Sequence, residues 1–153
     1  MTDVTGNLSF NDGFQKISIN EDMNRVIRWN PNDVSFIDRF LAFQSWVDND
    51  FKPRAKALKT SEDGSVDDYS EGMATALGEE LSSAIDGLFR SPVSQAAFDG
   101  ANPISGTPNG QLLFVNFLNA LMPIIEKSVK DFEGARKKYT ATAKKVTTGK
   151  KSS

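Results

Sequence analysis

Five carboxylates crowd into residues 62–71: Glu62, Asp63, Asp67, Asp68 and Glu71. They are the densest group of side chains here that could bind a divalent cation or act as general acids. Their spacing does not fit a calcium loop, which needs alternating oxygen ligands around a central Gly and a terminal Glu. Carboxylates in a first helical turn also complement the helix dipole, and a solvated helix start is the favoured reading. The chain has no Cys and no His. Disulfides, the usual zinc sites, thiol nucleophiles and every His-based triad are therefore excluded. Catalysis by carboxylates or Lys stays open, as does a magnesium site, but a non-enzymatic protein without a cofactor is the expectation. Residues 100–110 carry Gly100, Gly106 and Gly110. They lack the Lys-Ser/Thr of a phosphate-binding loop and follow no buried strand, so they read as a connection.

Charge is divided along the chain. Seven of the eighteen basic residues lie at or after Arg136, where no acidic residue occurs. Residues 1–135 keep eleven basic and twenty acidic groups, so the body carries −9 and the tail +7. Such a tail can neutralise phosphates, can meet an acidic protein segment, or can simply solvate a terminus. Tyr139 is its only aromatic residue, and the acidic body would repel a nucleic acid. A basic-tailed nucleic-acid accessory protein is accordingly the second reading.

The elements that would position these groups belong to one domain of 153 residues, 39% of them hydrophobic and 25% charged. No apolar run is long enough to span a bilayer, and residues 1–5 lack the basic and apolar regions of a secretory signal. A cytoplasmic protein is expected. Residues 1–13 read as a flexible leader, 14–135 as a hairpin-plus-helical domain, and 136–153 as a basic, disordered tail. Phe14 to Ile19 alternates apolar and polar residues, as a half-buried strand does. With the run Val26-Ile27-Arg28-Trp29 it predicts a β-hairpin whose loop lies around residues 20–24.

At Trp29-Asn30-Pro31-Asn32-Asp33 the strand must end, because Pro31 fixes its own φ and holds Asn30 extended. Asn32 or Asp33 can then cap a helix over residues 33–50. Pro53 should interrupt that helix and begin a short, angled continuation through residue 58. Ser65 or Asp67 would cap a second helix, lined by Tyr69, Met73, Leu77, Leu81, Ile85 and Leu88. Gly72 and Gly78 lie within it and each suggest the close approach of a neighbouring helix. Ser91 reads as the N-cap of a short helical turn with Pro92 in its first position. The last helix begins near Asn109 and carries the longest apolar stretch. Pro123 should kink or divide it, and fraying is expected beyond Tyr139. The fold class is thus mainly α with a small N-terminal β-hairpin, a compact bundle of three to four helices.

Eleven Phe against two Trp and two Tyr supply the core, since Phe has no polar handle. The first and last helices carry more apolar positions than a narrow stripe. A helix of this kind is buried on two sides or offers one side to a partner. Phe36, Phe40, Phe43 and Trp46 on the first helix, with Phe117 and Leu121 on the last, are the candidate partner-binding residues. Phe43 and Trp46 are favoured over Phe36 and Phe40 as the outward pair.

Three patterns resemble the tail assembly chaperones of long-tailed phages and prophages of Gram-positive bacteria. The first is a hairpin over residues 17–29 leading through Asn30-Pro31-Asn32-Asp33 into the apolar helix Val34-Ser35-Phe36-Ile37-Asp38-Arg39-Phe40. The second is a helix ending Ile85-Asp86-Gly87-Leu88-Phe89, followed by Ala97-Phe98-Asp99-Gly100 and Asn102-Pro103. The third is the helix Phe114-Val115-Asn116-Phe117-Leu118-Asn119-Ala120-Leu121-Met122-Pro123. Together they cover residues 14–135 in order. The resemblance implies a chaperone that coats the tape-measure protein and helps recruit tail-tube subunits in the host cytoplasm, absent from the finished virion. Homo-oligomers are compatible with it, and neither a membrane nor a nucleic acid is an expected partner.

Overall fold

The computed structural model describes residues 3–57 and 72–151, with side chains as far as Lys138. The acidic group at 62–71 and the expected caps Ser65 and Asp67, with Tyr69, lie outside the described residues.

Strands β1 (Gln15–Ile19) and β2 (Asp22–Trp29) form an antiparallel hairpin with Ile17 opposite Ile27. The loop is shorter than the sequence predicts. Only Asn20 and Glu21 turn the chain, both at positive φ (51° and 62°), as a tight hairpin turn requires. A register shift between Ser18 and Ile19 accommodates the residues expected in a longer loop. Glu is not a usual turn residue at positive φ, which is why Asp22 to Arg25 do not announce themselves as strand.

The junction after β2 is as expected. Asn30 accepts from the Asn32 backbone N–H through its side chain (3.0 Å) and from the Asp33 N–H through its carbonyl (3.2 Å). The Asp33 carboxylate accepts from the Ser35 N–H (2.9 Å), capping helix α1 (Val34–Trp46). Pro53 does not break the chain's helical course. The backbone widens into a π-helical turn, Val47–Phe51, and continues as α2 (Lys52–Lys56). Pro53 has no N–H to donate to the preceding turn, and the wider turn is a way to pass such a residue without unwinding.

Helix α3 (Met73–Phe89) starts after Gly72, which sits at φ 79° in the cap and not in the helix interior. Helix α4 (Val93–Phe98) starts one residue later than predicted, with Pro92 in the cap and no bond from the Ser91 side chain. Its capping group comes from α3 instead. The Asp86 carboxylate accepts from the Ser94 N–H (2.8 Å) and hydroxyl (3.0 Å). The other end of α4 is tied to the hairpin, where the Arg25 guanidinium donates to the Ala96 and Ala97 carbonyls (both 2.8 Å).

Gly78 is close to a neighbour, but to a loop side chain and not to a helix. A Cβ at Gly78 would collide with Asn102. The Asn102 amide donates to the Ala74 carbonyl of α3 (2.8 Å) and accepts from the Ile104 N–H (3.0 Å). Helix α5 (Leu113–Lys151) begins later than expected because residues 105–112 close a loop of their own. There Gly106 bridges Leu112, and Thr107 and Gln111 are joined by backbone and hydroxyl bonds. Pro123 lies inside α5 without dividing it, and the backbone stays helical to Lys151, past the predicted fraying point.

The molecule is therefore mainly helical, with one N-terminal hairpin and four helical bodies: the α1–α2 run, α3, α4 and α5. Its core is aromatic at the centre. Trp29 packs on Phe36 (5.0 Å between ring centroids) and edge-on to Phe89 (5.1 Å). Phe51 meets Phe114 of α5 edge-on (6.3 Å). Leu81, Ile85 and Val93 are fully enclosed among them.

Candidate docking cleft between the first and last helices

The two long helices place apolar residues on more than one face, and parts of those faces are open to solvent among the described residues. On α1, Phe36, Phe40 and Phe43 follow steps of four and three and point into the core. Val34, Ile37 and Leu41 follow the same steps on another face, where Val34 is 50% and Leu41 58% exposed. On α5, Phe114, Leu121 and Ile125 are buried, whereas Val129 and Phe132 are open to solvent, Phe132 at 45%. Where the α1 start meets the second half of α5, these uncovered faces line a cleft of about 380 Å³. Pro31, Val34 and Ile37 form one wall, and Ser128, Val129 and Phe132 the other.

Carboxylates rim this cleft. Asp33, Asp38 and Glu133 stand around its apolar floor, together with the Arg136 guanidinium. Asp33 is committed to the helix cap and to Arg39 (3.4 Å), while the Ser128 hydroxyl, buried, donates to the Ile124 carbonyl (2.9 Å). Asp33 and Ser128 are thus satisfied, and the cleft offers apolar area with a rim of three carboxylates and one guanidinium. An apolar helix face flanked by basic residues is the complementary shape and charge.

The candidate residues taken from the sequence separate into two sets. Phe36, Phe40, Phe43 and Leu121 are in the core, at most 6% exposed. Phe43 therefore does not face outward as expected, because its ring packs towards Trp46 (6.0 Å) on the covered side of α1. Trp46 is half-buried and packs at a tilt against Phe51 (5.2 Å between ring centroids). It borders a shallow depression with Arg39, Ala84 and Gly87. Phe117 is half-buried, touches Phe89 and Phe98, and lines a separate groove beside β1. The sequence missed Val34, Val129 and Phe132 as surface residues. Periodicity identifies them as apolar positions on a helix, but whether a neighbour covers them depends on the path of α5.

Away from the cleft, one polar cluster joins α2 to α3. Arg54 donates to both carboxylate oxygens of Glu80 (2.7 Å each) and to Asp50 (2.6 Å). These hydrogen bonds, to Glu80 first, push Arg54 above its already high ordinary value and hold the Glu80 carboxyl below the usual range. The cluster is exposed and both Glu80 oxygens face a cation, which suits a structural strap. Among the described residues no group of three or more His, Cys, Asp or Glu is arranged to hold a metal ion, and no helix is long and apolar enough to cross a membrane. No family model, curated protein or solved structure matches the chain.

Proposed function

We propose that this protein is a phage tail assembly chaperone, of the kind its sequence resembles, acting by binding and not by catalysis. Its partner is an apolar helical segment of the tape-measure protein, which it shields in the host cytoplasm while tail-tube subunits are recruited. The observation that supports this reading most is the apolar cleft where exposed Val34, Val129 and Phe132 meet around the half-buried Ile37. Exposed apolar surface flanked by polar groups is a common mark of a protein-binding site, and an amphipathic helix is a common occupant of such a groove. The carboxylates at the rim disfavour a phosphate backbone in the same place, which weighs against the nucleic-acid reading there.

The test is a pull-down of tape-measure fragments from the same genome by the purified chain, compared with Val34→Asp/Phe132→Asp. Capture by the parent chain and its loss in the variant, with an unchanged circular dichroism spectrum, is the expected result. Failure of the parent chain to capture any fragment would remove the proposal. Equal capture by the variant would move the contact elsewhere.

A further inference from the structure

Residues 4–10 read Val-Thr-Gly-Asn-Leu-Ser-Phe, with apolar residues or Gly at even positions and polar residues at odd ones. This is the period of a half-buried strand. Yet the segment forms no strand, and Val4, Leu8 and Phe10 are 92%, 89% and 77% exposed. The base of this arm is held in place. The Asn30 amide donates to the Asp12 carbonyl (3.3 Å), and the Asn11 and Asp12 side chains accept from the Gly13 and Phe14 N–H groups. Only the apolar positions beyond that base are left uncovered.

The hairpin has the matching deficiency. Among the described residues its sheet has two strands, so the outer edge of β1 has no strand beside it. Between β1 and α5 runs a groove of about 310 Å³, lined by Ile17, Ile19, Leu113, Phe117, Leu121 and Ile124. We propose that the arm of one copy of this chain adds as a third strand to the β1 edge of a second copy. Val4, Leu8 and Phe10 then enter the groove, and Thr5, Asn7 and Ser9 face solvent. This continues the alternation of β1 itself, where Ile17 and Ile19 are half-buried and Lys16 and Ser18 exposed.

A second copy is the fitting occupant because donor and acceptor are in the same chain. Under two-fold symmetry each copy gives one arm and receives one, and both deficits are removed together. The lengths agree, since the five residues of β1 span about 17 Å and the arm supplies seven. Lys16 is the only charge on that edge, and no Pro guards it, so little opposes strand addition. A third strand also brings the hairpin out of the marginal two-strand range.

Light scattering of the full chain across a concentration series tests the pairing. The parent chain should reach the mass of two chains, and Leu8→Asp/Phe10→Asp should stay at one while keeping the helical circular dichroism signal. A single-chain mass for the parent at every concentration, or a two-chain mass for the variant, overturns the proposal. The absence of native Cys allows a second reading of the same contact. Ser9→Cys and Ser18→Cys chains, mixed and treated with a short bismaleimide, should give a linked pair containing one of each. In the doubly substituted chain, linkage within a single chain would show the arm folding back on its own β1 and would likewise overturn the exchange.

Discussion

The two halves of α5 carry the same apolar period and have different surroundings. From Leu113 to Ile125 the helix lies against the α1–α2 run, α3 and α4, and Phe114, Leu121 and Ile125 are enclosed. From Ser128 onward the same spacing continues through Val129 and Phe132, but no described residue covers the outer side of the cleft. Amphipathic period therefore records that a face is meant to be covered, without recording by what. In the first half the covering group is the chain's own core, and in the second half Val129 and Phe132 stay exposed among the described residues.

The contrast is most sharply tested by truncation in each half. Leu121→Ala removes a buried side chain and should cost about 2–5 kcal/mol, measured by urea unfolding. Phe132→Ala should stay within about 0.5 kcal/mol of the parent, as surface changes usually do. Equal losses at the two positions would mean that the second half is packed after all.

The same comparison can be made inside α3, between two glycines. At Gly78 a Cβ would run into Asn102, whose amide holds the loop to the helix. Gly78→Ala should therefore destabilise the fold by about 1–3 kcal/mol, through overpacking. At Gly87 a Cβ would meet nothing within 4 Å, and Gly87→Ala should stabilise by up to about 1 kcal/mol from helix propensity alone. Thermal melts of the two variants should move in opposite directions.

The smallest effect expected is electrostatic. The Arg54 hydrogen bonds depress the Glu80 carboxyl in the folded state. Its contribution is complete above the unfolded value of about 4.3, and it disappears as pH falls through the lower, folded value. Glu80→Gln should therefore be less stable than the parent at neutral pH, and the gap should close in acid. A gap that is constant with pH would mean the strap works by shape and not by charge.

Much of the fold is legible in the sequence because its decisive signals are local. Pro31 and Asp33 act within a few residues of themselves, so the strand end and the cap of α1 can be read directly. The inward positions Phe36 and Phe40 are at helical spacing. The misread features all depend on distant partners or on unusual local geometry. The cap of α4 comes from Asp86, eight residues before the Ser94 N–H from which it accepts. The neighbour of Gly78 is Asn102, 24 positions further along the chain. Glu21 turns the hairpin at positive φ, which its side-chain type does not announce. The candidate site is legible in outline, as an apolar excess on the first and last helices. Its location is not, because Phe43 and Val34 differ only in which neighbours reach them.

Residues at three junctions of the fold also gain a physical meaning. Asn30, Asp86 and Asn102 each fasten one element to the next through backbone hydrogen bonds. They are joints of the fold, and none of the three lines the cleft between α1 and α5.

The π-helical turn at Val47–Phe51 works as a phase shifter. One residue more than an α-turn rotates the downstream helix by about 100° relative to the upstream one. That rotation lets one unbroken helical run face two directions in succession. Before the turn, Phe36 and Phe40 address the hairpin junction and α3. After it, Phe51 meets Phe114 of α5, and Arg54 returns to Glu80 on α3. A single residue deleted between Val47 and Phe51 would keep the helix and its composition intact while aiming its second half at the wrong neighbours.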